Sequence, residues 1–146
     1  MTTKWGSRKD RGASLVEFAI LAPLLVLLLF GIIEFAWLFS VNLDIRHGAR
    51  EAGRLAATDD FPNPGTPSLD ICSRMDVAAR PSTEVSINRN GTNIGDDITV
   101  VVDTPASTLT GILDWAIPSG ARLTSTVIVR QEQAPSWSQI TAVPCP

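Results

Sequence analysis

Apolar residues are distributed very unevenly along the chain. Residues 15 to 41 are almost all apolar, and a helix of about 27 residues is long enough to span the roughly 30 Å hydrocarbon core of a membrane. A cleavable secretory signal would have a shorter apolar core closed by a small-x-small site, which is missing here. The pattern therefore predicts a transmembrane helix over residues 13–41.

The helical pattern continues past this apolar segment. Residues 42 to 57 contain no proline, and only Gly48 and Gly53 are weak helix formers, so the same helix is predicted to extend over residues 42–58. Small residues recur at i, i+3, i+4 and i+7 and predict a face that another element can approach closely: Ala49, Ala52, Gly53 and Ala56. A basic edge, typical of a solvated helix face, is formed by Arg46, Arg50 and Arg54.

Residues 59–146 show the pattern of a small α+β domain. The stretch 59–66 is rich in Asp, Pro and Gly and should end the long helix, after which Ser68 is predicted to cap a second helix through residue 79. Runs rich in β-formers at 84–88 and 97–103 flank Asn90-Gly91 and predict a hairpin, and 123–130 predicts a third strand. Residues 109–117 are expected to form a short apolar helix or a lid over the core.

Three strands cannot bury a face by themselves, so the antiparallel sheet should lie on the outer half of the long helix. The predicted fold class is therefore α+β, with one long helix extending into a small domain. The tail from residue 134 is predicted to be irregular and held by Cys145. Trp137 in this tail is either a covered anchor or a contact for a partner.

Composition narrows the function classes. The chain has 146 residues and a net charge of -3, and no Lys/Arg stripe interleaved with aromatic residues occurs, so a nucleic-acid partner is not expected. Both cysteines, Cys72 and Cys145, follow the apolar segment. They are either a disulfide of an oxidising compartment, closing a loop of about 70 residues and contributing roughly 4 kcal/mol, or two buried thiols.

Charge around the apolar segment predicts its orientation. Residues 1–12 carry Lys4, Arg8, Lys9 and Arg11 against one acid, Asp10. Basic residues beside a transmembrane helix are retained in the cytoplasm. This leader is therefore predicted to be cytoplasmic, and residues 59–146 extracytoplasmic.

Two acids, Glu17 and Glu34, interrupt the apolar segment. A carboxylate at membrane depth costs several kcal/mol unless it is paired or protonated. Glu34 is close enough to the outer end for snorkelling or water to lower that cost. Glu17 lies near the start of the segment and needs a partner.

The residues Gly12-Ala13-Ser-Leu-Val-Glu17-Phe18 resemble the processing motif of type IV pilin-like proteins, in which a prepilin peptidase cuts after the glycine. With Pro23, Gly31 and Glu34, the whole stretch from residue 11 to 57 resembles the TadE family, minor pilins or pseudopilins of the tight-adherence (Tad/Flp) system. The resemblance covers about a third of the chain, and the remainder is similar only in general layout.

This resemblance implies cleavage between Gly12 and Ala13, which makes Glu17 the fifth residue of the mature chain. The freed ammonium of Ala13 on one subunit would then pair with Glu17 of a neighbour. Pro23 either loosens the helix for packing and sliding during assembly or is a tolerated membrane-helix proline. The helix residues expected to take part in assembly are Glu17, Pro23 and Glu34.

The partners that the resemblance implies are a prepilin peptidase, other Tad/Flp pilins and inner-membrane platform proteins. The implied location is the bacterial inner membrane, crossed once, with incorporation into a surface pilus as a further expectation. The alternative is an unprocessed signal-anchored domain that tethers a partner at the membrane.

No motif for catalysis accompanies these features. The single histidine, His47, has no Ser or Cys nucleophile motif beside it, and no Cys/His pair has zinc spacing. We therefore expect a substrate of a peptidase that is not itself an enzyme and that carries no metal or cofactor.

Overall fold

One long helix begins outside the domain and continues into it. The structure, a computed structural model, describes residues 8–76, 82–112 and 114–146. Helix α1, Arg8–Thr58, contains 51 residues and runs on through Pro23. The prediction of one continuous helix through residue 58 is confirmed. Residues 1–7 of the predicted leader, 77–79 of the predicted second helix and Leu113 lie outside the described residues.

The described part of the domain contains a short helix and four strands. Helix α2 is Pro67–Cys72, and the strands are β1 (Glu84–Arg89), β2 (Asp97–Pro105), β3 (Arg122–Arg130) and β4 (Ile140–Pro144). Neighbouring strands are antiparallel in the order β3-β2-β1-β4. The predicted hairpin is β1 and β2, paired with Val85 opposite Val102 and Ile87 opposite Val100. The predicted third strand is β3, so the α+β fold class is confirmed.

The core lies between the outer half of α1 and one face of the sheet. Strand β2 alternates buried and partly exposed residues, which is the period of a strand with one covered face. Its inward residues Ile98, Val100 and Val102 meet Ile45, Ala49 and Ala52 of α1 in one cluster of buried side chains. The sheet therefore packs on the outer half of the long helix, as predicted.

The small residues of α1 allow this close packing. Ala49, Ala52 and Ala56 are fully buried. A Cβ placed on Gly53 would lie 3.1 Å from Val129 Cγ1 and 3.3 Å from Val127 Cγ1 of strand β3. The spacing at i, i+3, i+4 and i+7 thus identified the packed face of α1.

The second helix is shorter than predicted. It begins at Pro67 after Thr66 and ends at Cys72, so the predicted cap at Ser68 and the extent through residue 79 were wrong. Proline suits the first helical turn because its missing N–H has no partner there. After Cys72 the chain forms tight turns in which Met75 N–H bonds Cys72 C=O at 3.3 Å. These turns place the Met75 side chain against Gly48. A Cβ added to Gly48 would lie 2.6 Å from Met75 Cγ.

Two other predictions for the domain were wrong. The tail is not wholly irregular, because residues 140 to 144 form β4 on the edge of the sheet beside β1. Described residues of the stretch 109–117 form only a 3₁₀ turn, Asp114–Ala116, in which no side chain is buried. This stretch therefore does not form a lid over the core.

The predicted disulfide is present. Cys72 and Cys145 are bonded across 73 residues, with their Cα atoms 5.6 Å apart. Trp137 is a covered anchor, since its side chain is buried and its Nε1 donates to Ala56 C=O at 3.3 Å. Together they attach the tail to α2 and α1.

Candidate functional site

The N-terminal half of α1 is apolar and uncovered. Between residues 12 and 29 nearly every side chain is exposed, and no described part of the domain lies over this stretch. One 18-residue window of the helix Gly12–Thr58 has a mean hydropathy of 2.7. By length and composition this helix can cross a membrane.

The residues of the predicted cleavage motif lie on this uncovered half. Gly12 and Ala13 are both within α1, and a Cβ added to Gly12 would meet nothing within 4 Å. Glu17 is exposed and makes no hydrogen bond or ion pair with any described residue. Since Ala13 and Glu17 are four residues apart, they share one face of the helix. Phe18 and Pro23 are also exposed on the apolar surface.

Glu34 has the opposite environment. Its side chain is only 3% exposed, because the segment that follows β2 lies against α1 at this level. Leu109 N–H donates to Glu34 Oε2 at 2.7 Å, and Thr110 N–H donates to Glu34 Oε1 at 2.8 Å. The Thr110 hydroxyl donates to the same Oε1. Three donors from one loop thus satisfy a carboxylate that the sequence left without a partner.

The sequence pattern did not predict these partners of Glu34. The only signal was the run Ser107-Thr108-Leu109-Thr110-Gly111, in which hydroxyls and a glycine favour a loop with free N–H groups. Nothing in that pattern shows that the loop reaches a residue 75 positions earlier in the chain. The structure therefore separates the two acids: Glu34 is held within the chain, and Glu17 is not.

A second polar cluster links α1 to the segment after α2. Glu51 Oε1 accepts from Arg54 at 2.9 Å and from Arg74 at 2.7 Å. The hydrogen bond from Arg54 lowers the pKa of the Glu51 carboxyl, and the positive charges of Arg54 and Arg74 act in the same direction. The same hydrogen bond raises the pKa of Arg54. Arg46, Arg50 and Arg54 are exposed, as predicted for a solvated basic edge.

The described residues near this part of α1 include one histidine and no metal-binding cluster. His47 is exposed on the helix. Among the described residues, no group of three or more His, Cys, Asp or Glu side chains is placed to hold a metal ion. The chemical group that the uncovered half of α1 presents is the Glu17 carboxylate, which can pair with a positive charge.

Fold and site together define a class of protein: one transmembrane-like helix that continues into a small α+β domain. Within that class, residues 12–54 match the family model TadE, described as TadE-like protein. The match confirms the predicted resemblance over these residues and supports a general association with the Tad pilus system. It begins at Gly12 and ends within α1, so it does not include the sheet. No curated protein and no solved structure matches the chain.

Proposed function

We propose that the chain is a minor pilin or pseudopilin of the Tad/Flp system, processed after Gly12 by a prepilin peptidase. The observation that carries the proposal is Glu17, a carboxylate on the uncovered apolar half of α1 that has no partner among the described residues. Burying such a group in lipid without a counter-charge costs several kcal/mol. None of the described side chains supplies this counter-charge, and the proposal assigns it to another molecule.

Cleavage after Gly12 would supply that partner. The new α-amino group of Ala13 is an ammonium near neutral pH, and an ammonium on one subunit can pair with Glu17 on the next. The other Tad/Flp pilins and the platform proteins of the inner membrane are the partners that this assembly step requires. In this role the protein acts by binding and packing, with no catalysis of its own.

The proposed location is the bacterial inner membrane, with the leader in the cytoplasm and the domain outside it. The basic residues before α1 support this orientation. The disulfide between Cys72 and Cys145 also supports it, because structural disulfides persist in oxidising compartments.

Co-expression with a prepilin peptidase tests the processing step. Intact-mass spectrometry should find a chain that begins at Ala13, and Gly12→Val should abolish that product because the side chain blocks the peptidase site. Gly31→Val is the matched control, since an added Cβ at Gly31 also meets nothing within 4 Å. The control should be cleaved like the wild type.

Glu17→Gln separates processing from assembly. The variant should still be cleaved, but pilus formation, measured by surface filament counts in the native cell, should fall strongly because the ammonium of Ala13 loses its counter-charge. Uncleaved chain together with normal filaments in Glu17→Gln would refute the proposal. That result would instead favour an unprocessed anchored domain that tethers a partner.

A further inference from the structure

The segment between β2 and β3 forms a projection that we call the foot, residues 106–112 and 114–121. It leaves the sheet after Pro105 and returns at Arg122, and Ala106 N–H bonds Ala121 C=O at 2.8 Å across its base. The loop between β1 and β2, residues 90–96, lies at the other end of the same strands, because Asp97 pairs with Arg130 there. The foot and this distal loop therefore mark opposite ends of the domain.

The foot is fixed at a definite height on α1. Leu109 and Thr110 hold Glu34 through three hydrogen bonds, and Ile117 faces a groove beside Gly31 and Phe35. From Ala13 to Ile33 the helix rises about 30 Å, which matches the thickness of a hydrocarbon core. Glu34 is thus the first residue beyond one membrane thickness from the proposed new N-terminus.

The foot carries apolar side chains that the domain does not cover. Trp115 is 81% exposed and Ile112 is 51% exposed, and Leu109 is exposed beside them. Asp114 is the only charged residue between 106 and 121. Tryptophan with neighbouring aliphatic residues is typical of the interface between lipid and water. The apolar surface of the foot is also continuous with that of α1 through the groove at Gly31 and Phe35.

The irregular backbone of the foot limits how deep it can lie. Peptide groups outside helices and closed sheets are not tolerated in lipid-exposed hydrocarbon, because their N–H and C=O groups would have no partners. The hydrocarbon must therefore end at the foot, and only the side chains of the foot can enter it.

We propose that the foot rests on the outer surface of the membrane that α1 crosses and inserts Leu109, Ile112 and Trp115 into its interface. The ligand is the bilayer itself. This inference rests on the proposed membrane anchor, and it places the outer edge of the hydrocarbon near residue 33, inside the span of 13–41 predicted from the sequence. The domain would then be held by two contacts, the helix and the foot, and could not tilt freely.

Spin labels on the full chain in vesicles of phosphatidylethanolamine and phosphatidylglycerol test this arrangement. The two cysteines of the chain are bonded to each other, so a single added cysteine is the one free thiol. Ile112→Cys probes the foot, and Ile94→Cys in the distal loop is the matched control because Ile94 is 70% exposed. Leu25→Cys reports on the anchor itself.

Accessibility to oxygen relative to a water-soluble nickel complex should be several-fold higher at position 112 than at position 94, and highest at position 25. A second foot probe, Trp115→Cys, should agree with position 112. Equal values at positions 112 and 94, with position 25 deep in lipid, would refute the contact between the foot and the membrane but not the membrane anchor. A water-exposed label at position 25 would refute both the membrane anchor and the contact between the foot and the membrane. Line broadening at position 112 that disappears on dilution with unlabelled protein would show a second copy on this surface and would also overturn the proposal.

Discussion

The two acids of α1 illustrate how surroundings decide the role of a residue. Glu17 is exposed on apolar helix surface with no partner among the described residues, whereas Glu34 accepts three hydrogen bonds from Leu109 and Thr110. A carboxylate with both oxygens satisfied is a stable structural element. An unsatisfied carboxylate in lipid is energetically costly and is stabilised by a counter-charge. Of these two acids, Glu17 is the one whose carboxylate has no partner among the described residues.

Replacing Glu34 should release the foot from the helix. In Glu34→Gln one oxygen becomes an NH₂ group, which faces N–H donors and cannot accept from them. The amides of Leu109 and Thr110 should then exchange with deuterium markedly faster in detergent micelles. Glu17→Gln is the matched control and should leave both rates unchanged. Unchanged exchange at both amides in Glu34→Gln would contradict the hydrogen-bonded contact.

At the scale of elements, α1 serves two neighbours with different chemistry. Its small residues let β3 approach to van der Waals contact at Gly53, and its Glu51 binds Arg74 from the segment after α2. Close packing against β3 excludes water from one face of α1. On another face, the charged hydrogen bond from Arg74 to Glu51 positions the segment after α2. The helix therefore forms one side of the core and also holds the segment that follows Cys72.

The link between α1 and this segment should depend on pH. Because the folded protein lowers the pKa of Glu51 from its ordinary value of 4.5, the ionised form stabilises the fold above that value. This contribution is lost as the pH falls through the lowered folded pKa. The effect should be less than about 1 kcal/mol, since the pair is solvent-screened. Denaturant unfolding at about pH 6 and about pH 3 should show a smaller acid-induced loss for Glu51→Gln than for the wild type. An equal loss in both proteins would count against a role for Glu51.

The elements predicted correctly are those whose residues carry a local pattern. The apolar run of α1, the small-residue face at Ala49, Ala52, Gly53 and Ala56, and the alternation in β2 are all periodic. Strand β4 has no such signal. Its Ala142 has a φ of 49°, and Pro144 lacks an N–H, so its place in the sheet depends on the disulfide beside it and on pairing with β1.

The site was predictable to a similar extent. The motif from Gly12 to Phe18 is a short local pattern, and the resemblance based on it was confirmed over residues 12–54. Glu34 accepts hydrogen bonds from Leu109 and Thr110, which lie 75 and 76 positions further along the chain. A contact at that separation has no local signature in one sequence. The foot was mistaken for a lid because apolar residues at 109–117 are equally suited to a core and to a membrane surface.

At the scale of the whole molecule, the disulfide closes the domain around α1. It joins α2, which contacts the helix, to the residue that follows β4. Cys145 N–H also bonds Thr83 C=O at 2.8 Å, next to the start of β1. The two ends of the domain are thereby fixed to each other at one point.

Removing the disulfide should loosen the domain and leave the anchor unaffected. The Cys72→Ser/Cys145→Ser double variant should lose roughly 4 kcal/mol of unfolding free energy, because its unfolded chain is no longer closed over a loop of about 70 residues. Near-UV circular dichroism with increasing denaturant measures this loss. Wild-type protein under reducing conditions should match the variant, and α1 should still partition into vesicles. An unchanged midpoint in both samples would contradict a stabilising role.

The length of α1 has a mechanical consequence. Its 51 residues form one rod of about 76 Å, which continues through Pro23 from the lipid-facing half into the half inside the domain. A pull on the domain would therefore be transmitted along this helix, through Pro23, towards Glu17. Moving the domain away from the membrane would withdraw the apolar half of α1 from lipid by the same distance. The contact between the foot and the bilayer would break at the beginning of that movement.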